Sequence, residues 1–429
     1  MFENFSGKRA IIILSVAIGV LVLAWLAYLA FGRPAPSPVN QPPGNVNLPG
    51  VGPGGNFSVN QPGGLNLPGG GNVNTGPGAD TNEGTVGTVP ETGAPISAVA
   101  NGGATNAPTL TDSRANAPFT GADGKVRFYN PDDCRFYEVS AGGERAQLGS
   151  AQYCEVKGLT WAPGADKAVL EFPDGSNVVY DFKRGKQYTL PKEMTEFSFS
   201  PDANQLAGKF MGATSSDNWV VTVNSDGSAL TGVEPMGDNA DKVDVQWSAN
   251  NQVVALSRTG IPSGLFEQQV LLIGFHGENF KSLQVEGRGF EPHWTPDGNR
   301  LLYSVYSDAT DYRPTLYLVD AATDSVGLNK QPLNLATWAD RCTFGATSAY
   351  CAVPGNLPAG AGFSRDLAQG LPDTVWQVDL ATGNLNLLGQ PVNDQGKGIT
   401  AGQLTVSPDG RYLYFTDSTT GKLRSMQLR

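Results

Sequence analysis

Histidine occurs only twice in the 429 residues, so histidine-ligated metals and histidine-centred acid–base chemistry have almost nothing to work with. Basic runs are missing too: 29 Lys and Arg stand against 40 Asp and Glu, for a net charge of −11. A phosphate backbone is bound by clustered cations, so a nucleic-acid partner is not expected. No G-x-S-x-G, H-E-x-x-H or G-x₄-G-K-[ST] motif occurs; in Gly260-Ile261-Pro262-Ser263-Gly264 the serine stands one place late. The sequence therefore predicts no catalytic motif, no metal site and no cofactor. Long apolar runs are also scarce, with one exception.

That exception is residues 10–31, AIIILSVAIGVLVLAWLAYLAF, all uncharged. A helix rising about 1.5 Å per residue crosses a hydrocarbon core of about 30 Å with some 20 residues. Lys8 and Arg9 precede the run, and after Arg33 the next cation is Arg114. The positive-inside rule then predicts a single-pass protein of the cell membrane: a cytoplasmic segment 1–9, a transmembrane helix 10–32, and everything later outside the cytoplasm. A cleavable signal peptide is the rival. The run exceeds the usual 7–15 apolar residues of such peptides, and Tyr28-Leu29-Ala30 is no A-x-A site.

Residues 33–115 are rich in Pro, Gly and Asn and show no period of 2 or 3.6. They carry a loose repeat, Asn40-Gln41-Pro42 to Leu48-Pro49-Gly50 and again Asn60-Gln61-Pro62 to Leu67-Pro68-Gly69. This composition buries too little apolar surface to offset ordering, which predicts a disordered linker reaching roughly 50 Å. The four cysteines, Cys134, Cys154, Cys342 and Cys351, all follow it. Outside the cytoplasm disulfides persist, and nearness in sequence favours Cys134–Cys154 and Cys342–Cys351. Free buried thiols and a zinc site are the alternatives, the latter without any C-x₂-C pair.

From residue 116 onward one unit recurs: an apolar strand ending in an aromatic, a polar turn, and a second apolar strand. It reads Leu159-Thr160-Trp161-Ala162-Pro163, Phe197-Ser198-Phe199-Ser200-Pro201-Asp202, Val245-Gln246-Trp247-Ser248, His293-Trp294-Thr295-Pro296-Asp297-Gly298, a degraded Cys342-Thr343-Phe344, and Leu404-Thr405-Val406-Ser407-Pro408-Asp409-Gly410. Proline sets one corner of the turn, aspartate bonds the backbone ahead and glycine supplies positive φ. Two more strands follow each hairpin, as in 177–182 and 187–190. Four antiparallel strands per unit, at spacings of 38, 48, 47, 50 and 62 residues, predict an all-β propeller over 116–429. Residues 126–130 and 134–140 match later strands of a blade. Counting them gives seven blades and discounting them six; seven is favoured, the chain ends meeting to close the ring.

The S-P-D-G-x-x-L-x-F units resemble the TolB-type β-propeller repeat, also found in propellers attached to oligopeptidases. The likeness covers about 118–429. It implies the fold and no particular chemistry: the α/β-hydrolase half of the oligopeptidases has no counterpart here, and the anchor and linker stand where TolB carries an α/β domain.

Candidate binding residues fall in two places. His293 lies on a predicted innermost strand, with Arg288 and Glu291 on the loop before it, where they would face the central channel; the plainer alternative is that they fill space between blades. Phe363, Arg365 and Asp366 lie in a long insertion, 354–372, between two strands of one blade, and long loops on a rigid scaffold often bind partners. Asp238, Asp241 and Asp244 recur at three-residue spacing but lack the calcium-loop pattern, so a solvated turn is expected. The expected function is a non-catalytic, membrane-anchored propeller outside the cytoplasm that binds a protein or an envelope glycan. The alternative is a hydrolase or lyase acting on envelope polysaccharide or peptide at the channel.

Overall fold

In most two-layer proteins a strand alternates between buried and exposed residues, but here the second strands of the repeats are buried end to end. Val253–Ser257 and Ser348–Pro354 are covered on both faces. That happens when sheets stand side by side like the vanes of a wheel, each packed between two others. The computed structural model describes residues 95–429 except Ser263 and Asn279. The segment 1–9, the helix expected over 10–32 and most of the linker lie outside the described residues. Among the described residues no helix is long and apolar enough to cross a membrane.

Among the described residues seven sheets are present, each with four antiparallel strands in spatial order, and they are numbered here as blades. Blade one begins with Asn116–Thr120, two with Gly158–Trp161, three with Met194–Phe199 and four with Val243–Val245. Blade five begins with Arg288–Trp294, six with Cys342–Phe344 and seven with Ala401–Val406. These first strands lie nearest the axis, where those of neighbouring blades touch. Because strand direction alternates, the S-P-D-G turns occupy one face of the ring. The loops between second and third strands share the opposite face with the connections between blades.

The core is divided among the seven junctions. Leu256, Val270 and Val285 of blade four meet Phe290, Leu301 and Tyr303 of blade five, and similar wedges fill every other junction. Each junction also has a polar tie. Trp161 Nε1 donates to the Ala117 carbonyl at 2.8 Å, Lys167 Nζ to that of Ala203 at 3.0 Å, and Asn250 Nδ2 to that of Gly298 at 2.7 Å. The recurrent turn holds itself together as its residue types require. The hydroxyls of Ser200, Thr295 and Ser407 each donate to the Asp two residues on, at 2.6 Å, and accept from a backbone N–H across the turn. The residue after that Asp takes positive φ, which Gly298 and Gly410 adopt freely and Ala203 adopts despite its Cβ.

Ring closure departs from the expected boundary. The disordered linker was expected to reach residue 115, yet β1 (Ala104–Asn106) and β2 (Thr109–Arg114) are strands. β2 supplies the fourth strand of blade seven, antiparallel to Lys422–Gln427, and β1 adds a fifth strand to blade six, parallel to Leu385–Val392. Asn-Gly-rich flanks hide this stretch from a composition reading, because its apolar contribution is small and its stability comes from backbone pairing along two waiting edges. Arg424 Nη1 on the Ala107 carbonyl at 2.9 Å and Leu423 N–H on Thr111 Oγ1 at 3.1 Å lock the closure.

Both expected disulfides are present. Cys134–Cys154 ties the start of the third strand of blade one to the connection leading to blade two; Cys342–Cys351 joins directly opposite residues of one hairpin. With a sequence separation of 20 the first constrains the unfolded chain more than the second, with 9. Replacing Cys134 and Cys154 together by serine should lower unfolding free energy by about 3 kcal/mol, and the other pair by somewhat less, measured by denaturant titration.

Candidate functional site

Loop length singles out one sector of the ring. Between second and third strands blades one, two and seven have only residues 131–134, 172–176 and 418–421, whereas blades three to five have 211–218, 258–266 and 307–314, and blade six has the insertion 355–372. All project from the face opposite the S-P-D-G turns.

The insertion is packed, with its own apolar cluster of Ala336, Trp338, Leu357, Ala361 and Ala368. Gly360 and Gly362 donate backbone N–H to the carbonyls of Asp311 and Tyr312 at 2.8 and 2.7 Å, and Arg313 Nε donates to the Leu357 carbonyl at 2.8 Å. Gly362 is required here, since a Cβ would come within 2.4 Å of the Tyr306 ring. Phe363 lies between Tyr306 and Tyr312, both ring centroids 4.9 Å away, and still presents 62 % of its surface to solvent.

Arg365 reaches from the insertion to the channel rim. Its guanidinium bonds Asp340 at 2.6 and 3.1 Å, pairs with Glu291 and covers the Trp338 ring at 5.0 Å. Two expected residues, Glu291 and Arg365, are thus brought together from different blades. The sequence reading put Glu291 and Arg288 on the loop before the innermost strand; both lie on the strand itself. Arg288 turns away from the channel, donating to the Leu265 carbonyl at 3.1 Å and covering Phe266. His293 is half-buried on the same strand, its ring near Phe344 at 6.1 Å; desolvation lowers its pKa, with Asp340 opposing, so it is neutral at pH 7. Asp366 is exposed and joins no ion pair.

Sequence reasoning missed the wider pattern. Glu196, Asp244 and Glu291 each stand three residues before the aromatic of their repeat, Phe199, Trp247 and Trp294. Equivalent positions in adjacent blades fall on one arc, which Asp340 extends. Each carboxylate has a cation: Lys209 on Glu196 at 2.6 Å, Arg258 on Asp244 at 3.2 Å, and Arg365 on the other two. Desolvation nevertheless wins at two of them. It raises the Asp244 carboxyl against the pull of Arg258 and pushes Glu291 up to about 7 against that of Arg365, with Asp340 and Asp244 adding repulsion. Of the expected acidic turn, Asp238 and Asp241 are exposed while Asp244 belongs to this arc. Among the described residues no group of three or more His, Cys, Asp or Glu is placed to hold a metal ion.

A second missed pair joins blades six and seven. Asp373, fully buried, accepts from Arg341 at 2.6 Å and from the Ala401 N–H at 2.7 Å. Burial lifts its carboxyl to about 6 even so.

No protein-family model matches the chain, and neither does any curated protein sequence. The fold is similar to solved propellers. An oligogalacturonate lyase in complex with manganese shares 15% identity at a TM-score of 0.52, over 75% of this chain and 92% of that one. An oligogalacturonate lyase from Vibrio parahaemolyticus shares 12% at 0.51, over 75% and 93%. The β-propeller domain of Myceliophteria thermophila Cps50 shares 12% at 0.50, over 75% and 100%. Likeness at these identities shows the fold alone.

Glu291 gives a testable pH signature. Its folded value lies above its ordinary 4.5, so the folded chain holds a proton that the unfolded chain has already released. Stability must then fall as pH rises from about 4.5 to about 7. Glu291→Gln should flatten the thermal midpoint across that window relative to the parent chain, as read by calorimetry at pH 5 and pH 8.

Proposed function

We propose that this chain is a non-catalytic binding module: a propeller of TolB-like repeats, carried outside the cytoplasm on a membrane anchor and a flexible stalk, that engages a protein partner through the loops of blades four to six. One observation carries the reading. Ile261, Leu265, Phe363 and Leu367 are 78, 71, 62 and 45 % exposed on the two longest of the loops between second and third strands. Large apolar side chains gathered on one sector, rimmed by polar residues, mark an interaction surface. The insertion bearing two of them is held by its own cluster and by Arg365, so the surface is formed before a partner arrives, which lowers the ordering cost of binding. The anchor rests on the apolar run and flanking charges of residues 8–33.

A second reading, a glycan- or peptide-cleaving enzyme, draws on the acid arc. A carboxyl near pH 7 beside a second carboxylate is the pairing that general acid–base cleavage uses. Against it, Arg365 occupies both Glu291 and Asp340 and leaves neither facing an open cleft unpaired.

A photo-crosslinking residue at position 363 of the full-length chain, expressed in its own cells, should capture a discrete protein from the membrane fraction; one at position 328, between the third and fourth strands of blade five and so on the face of the S-P-D-G turns, should not. Deleting residues 10–31 should move the chain out of that fraction. Equal capture from both positions counts against the surface. Shortening of an envelope glycan, lost in Glu291→Gln, would replace the binding module with the enzyme.

A further inference from the structure

Charge around the apolar sector narrows the partner's chemistry. Three exposed carboxylates, Glu267, Asp308 and Asp366, have no ion-pair partner, although each lies on or directly beside a loop bearing the apolar residues or Tyr312. Three of the four arginines of the same loops and rim are paired with carboxylates, whereas Arg288 is exposed, covers Phe266 and has only a backbone carbonyl as partner. Arg258 holds Asp244 and the Asp241 carbonyl, and Arg288 the Leu265 carbonyl. Arg313 holds the Leu357 carbonyl and Asp311, and Arg365 spans Asp340 and Glu291. Three unpaired carboxylates against the one unpaired guanidinium of Arg288 leave the available charge net negative.

The apolar residues are continuous with one another. Leu265 leads into Phe266, whose ring lies 6.2 Å from Tyr312, and Tyr312 lies 4.9 Å from Phe363. Leu367 follows four residues later, on the short helical turn Arg365–Ala368. A strip of apolar side chains with unpaired carboxylates along its margins is complementary to a segment of opposite pattern.

We infer that the partner presents a basic amphipathic segment, with apolar side chains seated on Leu265, Phe363 and Leu367 and Lys or Arg meeting Glu267, Asp308 and Asp366. This rests on the binding-module reading and specifies its ligand. The same geometry disfavours an anionic glycan, which would meet the carboxylates first.

The test uses the full-length chain and four synthetic 18-residue amphipathic peptides: Lys/Leu, Gln/Leu, Glu/Leu, and Lys/Gln without an apolar face. Fluorescence anisotropy should show binding of Lys/Leu alone, weakening about tenfold between 50 and 300 mM salt. The triple variant Glu267→Gln, Asp308→Asn, Asp366→Asn should weaken it at least fivefold. Leu265→Ser with Phe363→Ser should abolish it, and Leu328→Ser on the face of the S-P-D-G turns should not. Far-ultraviolet circular dichroism of each variant checks that the propeller is intact. Binding of Gln/Leu or Glu/Leu as tight as Lys/Leu, or a triple variant that binds unchanged, overturns the inference. If no peptide binds while position 363 still captures a protein, the basic segment is wrong and the binding module stands. If both assays are blank, both fall.

Discussion

A ring of sheets has to end where it began, and the pairing that achieves this, β2 along Lys422–Gln427, is the constraint on which every other contact depends. The seven apolar wedges are each a junction between neighbours, so opening one junction loosens the two beside it. The polar ties serve the same end. They sit at the boundaries of blades, where backbone groups turn away from their own sheet and would otherwise be left without partners.

Most of this architecture was legible because a repeat announces itself through both its turn and its period. Pro296-Asp297-Gly298 and Pro408-Asp409-Gly410 are turn residues whose hydrogen bonds are the ones their chemistry dictates. Second strands buried on both faces read as unbroken apolar runs such as Val253-Val254-Ala255-Leu256. The strands β1 and β2 did not read at all. Thr109, Thr111 and Ser113 carry little hydrophobic signal, and what orders them is an edge more than 300 residues away in sequence.

The site was legible in part, for the opposite reason. The repeat marked the innermost strand that carries His293, but Glu291 was read as lying on the loop before it, and the companions of both lie on other blades and share no local motif with them. The recurrence of an acid three residues before the aromatic, at Glu196, Asp244 and Glu291, was available in the sequence and is invisible unless the repeats are stacked. Asp340 lies one residue out of that frame, because a short helical turn precedes the sixth inner strand. Arg365 and Phe363 were found by loop length alone, and nothing in the sequence says that one clamps the rim while the other faces solvent.

The fifth strand on blade six also has a mechanical side. A pull on the chain arriving from residues before Val99 meets the single bridge of Val99 and Ala100 to Gln427 and then β1, since both precede β2. Three paired residues, Ala104, Thr105 and Asn106, must let go of Gln390, Pro391 and Val392 before tension reaches the strand that closes the ring. A short clip that yields ahead of a longer seam is how a cable is given strain relief. Under such a pull β1 is lost and regained while blade seven keeps its edge and the wheel stays shut.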